Sequence, residues 1–265
     1  MRILAGLPGA AAPEERGTVQ SVQRSLELFE RLVAAEDELG LRELSEASGL
    51  PIGTVHRLLS VLVARGYVRQ NPATRRYTVG FGALDLAERI RNRGGLAQQA
   101  QPFLRELVRL TGESANLAVL DGTQAVYLAQ VAPPRMVRMF TEVGNRVPLY
   151  ASGTGKVLLA HLPADQREAL LVQLELKQFT PTTVTDREQL RIELDRIRQQ
   201  GYARDHGEFE EGVQCVALPV RDASRQVVAA LSVSGPSSRL TRERADAWLP
   251  QMKDMAMDFS HALGY

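Results

Sequence analysis

Apolar residues recur at helical spacing through the first third of the chain. Val19, Val22, Leu26, Phe29 and Val33 repeat every three or four residues. This spacing predicts one buried stripe on an amphipathic first helix.

Two shorter helices are predicted next. The first covers residues 41–48, has Leu41, Leu44 and Ala47 on one side, and ends at Gly49, a common C-terminal stop. The second begins around Pro51, which is tolerated in a first helical turn, and ends at Gly66. Its inward-facing residues are predicted to be Val55, Leu58, Leu59 and Leu62.

A short hairpin is predicted after these helices. Strand-like pieces at 67–70 and 76–79 flank an Asn-Pro turn. The order helix, helix, turn, helix, hairpin is that of a winged helix-turn-helix. Residues 81–93 can form a further helix, and Gly94 and Gly95 separate it from another over 96–110.

The pattern changes beyond this point to alternating strands and helices. Strand-like runs are predicted at 114–122, 124–132 and 135–143, with two more within 214–236 about a turn near 222–224. Helices are predicted at 155–161, 163–174, 187–200 and 242–263. We therefore expect an α+β protein with a flexible leader (1–16), a winged helix-turn-helix (17–80), a linker helix (81–95) and a mixed α/β domain (96–265).

Composition narrows the class of protein. The 265 residues are 44% hydrophobic with a net charge of +1, which describes a globular chain and excludes a polycationic one. A single cysteine rules out an intramolecular disulfide and a cysteine-rich metal site. No apolar run reaches the length of a bilayer span, and the start is too weakly apolar for a signal peptide. We expect a cytoplasmic protein with no membrane association, metal or cofactor.

Charge is unevenly distributed despite the small net value. Residues 47–84 contain no aspartate or glutamate but five arginines. On the third helix, Gly53, Arg57 and Ser60 point outward with Thr54 and His56 on the flanks, a small, polar and cationic face that suits a major groove. A solvated surface helix, or a winged helix used only for protein contact, is the alternative. The candidate DNA-binding residues are Thr54, His56, Arg57, Ser60, Arg75 and Arg76.

The segment "ASGTGK", residues 151–156, lacks the spacing of a nucleotide-binding phosphate loop. Its backbone N–H groups near Gly153 and Thr154 instead open a helix, where an anion is favoured. The alternative is an ordinary helix start capped by Thr154.

Cys215 lies downstream of Asp205 and His206, and this trio invites a thiol-enzyme interpretation. A cysteine in an apolar strand is more often inert and buried. Ser232 and Ser234 share one strand face, either toward a ligand or toward solvent.

Four segments together carry a family resemblance: "VQSVQRSLELFERL", "LRELSEASGLPIGTVHRLLSVLVARGYV", "RRYTVG" and "PLYASGTGKVLLA". From about Thr18 onward the chain resembles the IclR (isocitrate lyase regulator) family of bacterial transcription factors. The resemblance implies an N-terminal winged helix that binds DNA and a C-terminal GAF- or profilin-like domain that binds a small effector. Many relatives carry lysine and serine where this chain has Ile52 and Gly53. The DNA-contacting role that the resemblance implies is therefore assigned first to Thr54, His56 and Arg57.

The resemblance also implies an effector site for small acids. It is formed by the backbone of the glycine loop, an aspartate and a cysteine ten residues apart, and two serines two apart. Met136, Met139 and Val147 are expected to form its apolar wall, or simply core. The matching effector-binding residues are Gly153, Thr154, Asp205, Cys215, Ser232 and Ser234.

The leading hypothesis is a ligand-responsive regulator of a catabolic operon, with a small organic acid as effector and double-stranded operator DNA as partner. The resemblance implies homodimers or tetramers, with the linker helix as their natural contact, and RNA polymerase is a further candidate partner. The alternatives are a DNA-tethered enzyme using Cys215 and His206, and a ligand-independent architectural DNA-binding protein.

Overall fold

The computed structural model describes residues 19–86, 95–136, 138–139 and 141–265, which fall into two compact units. The predicted leader and most of the predicted linker between Phe81 and Gly95 lie outside the described residues.

The first unit is a winged helix-turn-helix, as predicted. It contains α1 (Gln20–Ala34), α2 (Leu41–Ser48) and α3 (Ile52–Ala64), followed by an antiparallel pair of strands. These strands, β1 (Val68–Gln70) and β2 (Tyr77–Val79), form the hairpin that we call the wing. Residues 81–86 are helical.

The predicted buried stripe of α1 is wrong. Leu28 and Leu32 face the core, at 0% and 2% exposed. The residues predicted to be buried are 54–62% exposed, except for the half-buried Phe29, and they are Val19, Val22, Leu26 and Val33. Helix α1 carries two apolar stripes, and only packing against the rest of the unit selects between them.

The core of the first unit is formed by one face of each helix and by the wing. From α3 it receives Val55, Leu58 and Leu59, as predicted, while Leu62 is half-buried. Leu44 is the one buried residue of α2, and Ala47 is exposed. At the end of α2, Gly49 has a φ of +66°, the left-handed conformation that turns the chain toward α3.

The second unit is built on a six-stranded antiparallel sheet in the order β5-β4-β3-β8-β7-β6. The strands are β3 (Ser114–Asp121), β4 (Gln124–Val131), β5 (Arg146–Pro148), β6 (Ala203–Asp205), β7 (Val213–Arg221) and β8 (Val227–Pro236). The helices are α4 (Leu96–Thr111), α5 (Gly153–Ala160), α6 (Ala164–Gln173), α7 (Arg187–Gln200) and α8 (Arg242–Ala262).

Helices cover both faces of this sheet. Helices α4 and α8 pack on one face through Leu104, Leu107 and Phe259. Helices α5, α6 and α7 contribute to the core on the other face, where Val157 and Leu194 are fully buried. The mixed α+β architecture is therefore as predicted.

The strand predicted over residues 135–143 is not a strand at any of its described positions. Met136 is 99% exposed, which excludes it from both the core and a pocket wall. The loop is attached to the sheet instead, because the Ser114 hydroxyl donates to the Met139 carbonyl over 2.8 Å. The edge strand β5 follows it and pairs with β4, with Val147 buried as expected.

Within the described part of the chain no single helix is long and apolar enough to cross a bilayer. Helices α2 and α3 pass that test on length and composition only as a pair, with a bend of 110° between them.

Candidate nucleic-acid interface and ligand pocket

Helix α3 presents a polar face opposite its buried residues. Gly53, His56, Arg57 and Ser60 are exposed, and Thr54 is partly exposed. The Ser60 hydroxyl donates to the Arg57 carbonyl over 2.8 Å within the same helix. The Arg57 guanidinium forms no hydrogen bond or ion pair with any residue that the structure describes, so its donors are available to a partner.

Arg75 lies at the exposed tip of the wing. Its φ of +63° is unusual for a residue with a side chain, and two hydrogen bonds hold this turn. The Arg75 N–H donates to the Asn71 carbonyl over 2.8 Å, and Gln70 Nε2 donates to the Arg75 carbonyl over 2.9 Å. The turn therefore directs a cationic side chain away from the domain.

Arg76, predicted as a second DNA contact, is engaged inside the domain. Its Nε donates to the Glu38 carbonyl over 2.9 Å, and its Nη2 donates to the Glu43 carboxylate over 2.8 and 3.0 Å. The Gly40 N–H and then Arg76 hold the pKa of Glu43 below its usual value. Arg76 thus connects the wing to α2.

Glu38 organises the base of the wing and was not identified from the sequence. Its carboxylate accepts from Asn71 Nδ2 over 3.0 and 3.1 Å and from the Thr74 hydroxyl over 2.9 Å. These hydrogen bonds lower the pKa of Glu38, Asn71 contributing most. The acid-free window of the sequence could not reveal this contact, because Glu38 lies outside the window and reaches the wing only through the fold.

Four of the six predicted effector residues lie on one face of the sheet, and they are Asp205, Cys215, Ser232 and Ser234. The register pairs Asp205 with Cys215, Cys215 with Ser234, and Ser234 with Ser114. Residues paired in an antiparallel sheet project to the same face. We call Asp205, Cys215, Ser234 and Ser114 the first polar row.

A second polar row lies two residues along each strand on the same face. It consists of Ala217, Ser232 and Asn116, which are paired in that order. Helix α5 covers this face, since a Cβ built on Gly153 would lie 3.0 Å from Cys215 Sγ. The two rows and the N-terminus of α5 form the candidate pocket.

Ser152, rather than Thr154, caps α5. The Ser152 hydroxyl accepts from the Gly155 N–H over 3.2 Å. Thr154 lies inside the helix at 0% exposure, close to the Tyr127 hydroxyl but without a well-formed hydrogen bond to any described residue. Its hydroxyl is therefore a buried polar group with unused capacity.

Ser232 is the second such group. It is fully buried, and although its hydroxyl is close enough to Cys215 to influence the thiol, no described residue satisfies its Oγ with good geometry. An unsatisfied buried hydroxyl is costly. Its Oγ, in the second polar row, therefore has unused hydrogen-bonding capacity.

Burial controls the protonation of the acidic groups in the pocket. It raises the pKa of the Cys215 thiol to about 12, with a further contribution from Asp205. It also raises the pKa of Asp205, although the Glu208 N–H, which donates to Asp205 Oδ1 over 2.8 Å, opposes this. Both shifts favour the neutral forms and reduce the repulsion of an anionic ligand.

Lys156 forms a buried ionic cluster beneath the pocket that the sequence did not predict. It is 0% exposed, and its Nζ donates to Glu208 over 2.6 Å and to Glu193 over 2.8 Å. The two carboxylates already occupy this ammonium group, which makes it unsuitable for a phosphate.

An open cleft of about 240 Å³ lies next to the first polar row. Val213 and Pro236 line it and are paired in register, two residues from Cys215 and Ser234 on the same sheet face. Met139, predicted as part of the pocket wall or the core, also lines this cleft. A molecule entering here would approach the polar rows from their edge.

Two family models match the chain. The model described as IclR helix-turn-helix domain matches residues 21–72, and the one described as bacterial transcriptional regulator IclR C-terminal matches residues 90–261. A similar curated protein is the HTH-type transcriptional repressor AllR of Escherichia coli K12, 38% identical over 260 residues, with 98% of this chain and 96% of AllR covered.

Solved structures with the same fold include the IclR protein of Thermotoga maritima, at a TM-score of 0.82 and 28% identity, covering 94% of this chain and 100% of the other. An IclR homologue of Microbacterium hydrocarbonoxydans in complex with 4-hydroxybenzoate has a TM-score of 0.78 and 26% identity, covering 92% and 98%.

Proposed function

Because this chain belongs to the IclR family and is a ligand-responsive, DNA-binding transcriptional regulator, we propose that α3 and the wing bind operator DNA and that the candidate pocket binds a small organic acid. The DNA contacts are assigned to Thr54, His56, Arg57, Ser60 and Arg75. The acid contacts are assigned to Gly153, Thr154, Asp205, Cys215, Ser232 and Ser234.

The unsatisfied Ser232 hydroxyl inside the polar rows carries the effector proposal. The hydroxyls of Ser232 and Ser234 and the N–H groups at the start of α5 all donate to an acid oxygen. The relative in complex with 4-hydroxybenzoate holds an organic acid, which supports this class of ligand. The AllR relatives are repressors, which supports repression relieved by the effector.

Of the two wing arginines that the sequence predicts as DNA contacts, Arg75 alone is kept as the proposed phosphate contact. Arg76 remains a candidate DNA contact only through the guanidinium donors that its ion pair with Glu43 leaves unused. We assign Arg76 a positioning role, in which it holds the wing against α2 at the spacing that lets α3 enter the groove.

We propose that the regulator acts as a homodimer, the minimal unit of a tetramer. The exposed apolar stripe of α1 supports this, because burying it against a second copy removes apolar surface from water. The stripe consists of Val22, Leu26 and Val33, with Val19 at the N-cap. Phe81, Leu84 and Leu86, in the described part of the predicted linker helix, are also exposed. A contact with RNA polymerase stays a prediction.

We propose no catalytic role for Cys215. Its thiol is buried and its raised pKa keeps it protonated, whereas His206 is exposed and shares no hydrogen bond with it among the described residues. We also propose a cytoplasmic location, because the operator DNA that is the chain's proposed partner lies there. A Cys215-dependent turnover of ester or thioester substrates would show that Cys215 is catalytic after all.

Fluorescence anisotropy with DNA from upstream of its own gene, with and without pyruvate, lactate and 4-hydroxybenzoate, tests the proposal. Arg57→Ala is expected to weaken binding by about 1–3 kcal/mol. Arg109→Ala, an exposed arginine in the second unit, is the control. Unchanged affinity in Arg57→Ala contradicts the DNA assignment.

Ser234→Val tests the pocket separately. It is expected to bind operator normally and to lose the response to the acid that acts on the natural protein. A normal response in this variant places the effector elsewhere.

A further inference from the structure

The polar face of the sheet extends beyond the residues assigned to the effector. Asn116 on β3 is fully buried and pairs in register with Ser232 on one side and Gln130 on the other. It therefore belongs to the face that carries the two polar rows, next to the unsatisfied Ser232 hydroxyl.

Hydrogen bonds orient the Asn116 amide. Gln130 Nε2 donates to the Thr141 hydroxyl over 2.6 Å, and Thr141 donates to Asn116 Oδ1 over 2.9 Å. Thr141 donates its only hydroxyl proton to Oδ1, which fixes the carbonyl end of the amide on the Thr141 side. The NH₂ end of the amide therefore lies on the opposite side, toward Ser234.

The NH₂ group has no good partner at that position. Asn116 Nδ2 lies 3.5 Å from Ser234 Oγ, beyond the 2.7–3.2 Å of an ordinary N–H···O bond. A primary amide carries two N–H donors, and a buried donor without an acceptor is unfavourable. Ser232 Oγ thus has no partner among the described residues, and the neighbouring Asn116 Nδ2 has only the long contact with Ser234.

We propose that Asn116 is an effector-binding residue whose Nδ2 donates to a carboxylate oxygen, shared with the hydroxyls of Ser232 and Ser234. This inference rests on the proposed effector site. A carboxylate oxygen accepts several hydrogen bonds, so one group satisfies all three side chains. Asn116 thereby selects an acid over its neutral amide, and Thr141 is the positioning residue that sets the direction of the amide.

The test compares acids with their amides on the full chain by isothermal titration calorimetry. The probes are pyruvate, lactate and 4-hydroxybenzoate with the corresponding primary amides, and the acid that the natural protein binds best is carried forward. Asn116→Asp, similar in size but without the amide donor, is expected to weaken acid binding roughly 10- to 100-fold. Asn145→Asp, an exposed asparagine of the same unit, is expected to change it by less than about twofold.

Thermal unfolding of the full chain serves as the folding readout, because both substitutions lie in the second unit, and it is expected to be similar in both variants and the natural protein. If Asn116→Asp does not fold, Thr141→Val is used, with an expected loss of roughly 3- to 10-fold in acid binding and a reduced preference for the acid over its amide. Acid binding at the natural level in the folded variant overturns the role of Asn116. If Ser234→Val also responds normally to the acid, the proposed effector site itself is wrong. This variant therefore distinguishes failure of the Asn116 role from failure of the whole site.

Discussion

Replacing Lys156 with methionine tests how the charges beneath the pocket are balanced. The side chain is fully buried, with carboxylates at 2.6 and 2.8 Å, and methionine fills a similar volume without the charge. Removing one partner of a buried ionic group leaves the others uncompensated and costs about 3–5 kcal/mol. For a unit of this size, that loss lowers the melting temperature by roughly 6–20 °C.

The loss is expected to depend on pH. Without the ammonium group, the buried Glu208 carboxylate loses its compensating charge and regains stability when it is protonated, so Lys156→Met is destabilised less at pH 5 than at pH 8. Thermal unfolding followed by circular dichroism at both pH values measures this. Lys177→Met is the matched control, because Lys177 is 64% exposed and pairs with Glu175, an interaction worth less than about 1 kcal/mol. A Lys156→Met loss no larger than the control, or equal at both pH values, would refute the reasoning.

Three further predictions concern other sites. Burial raises the pKa of Glu208 to about 7 from its usual 4.5, so its contribution to stability is full below pH 4.5 and lost as pH rises through about 7. Glu208→Gln should therefore flatten the melting temperature between pH 5 and pH 8, and a slope equal to the natural protein's would contradict this. Arg75→Met should reduce the salt dependence of operator binding by about one phosphate contact, whereas Arg76→Met should leave the slope unchanged. A lower slope in Arg76→Met would make Arg76 a DNA contact. Leu26→Glu should shift sedimentation from dimer to monomer, while Ile192→Glu, 64% exposed on α7, should not; a Leu26→Glu dimer would remove α1 from the interface.

The order of elements could be predicted because the signals are local. Periodicity over 187–200 predicted helix α7 to the residue, and the turn near Asp222 correctly separated β7 from β8. The segment over 135–143 failed because its short apolar runs are equally compatible with strand and loop, and no neighbouring strand pairs with its described residues.

The candidate sites were only partly visible in the sequence. The effector residues were named from a family pattern, and the register brings Asp205, Cys215 and Ser234 into one row. Asn116 and Thr141 were missed, since asparagine in a strand-like run carries no signal until the register places it beside Ser232. Glu38 was missed for the same reason, because only the fold brings its carboxylate next to Asn71 and Thr74 of the wing.

The sequence by itself determined the winged helix-turn-helix, the α/β unit and the exposed face of α3, because helical spacing, glycine stops and turn residues act over a few neighbours. Only the tertiary structure decided which stripe of α1 is buried, that Arg76 pairs with Glu43, and that Lys156 meets acids 37 and 52 residues away. These outcomes depend on contacts between distant segments, where burial determines whether a charge is solvated, paired or neutralised.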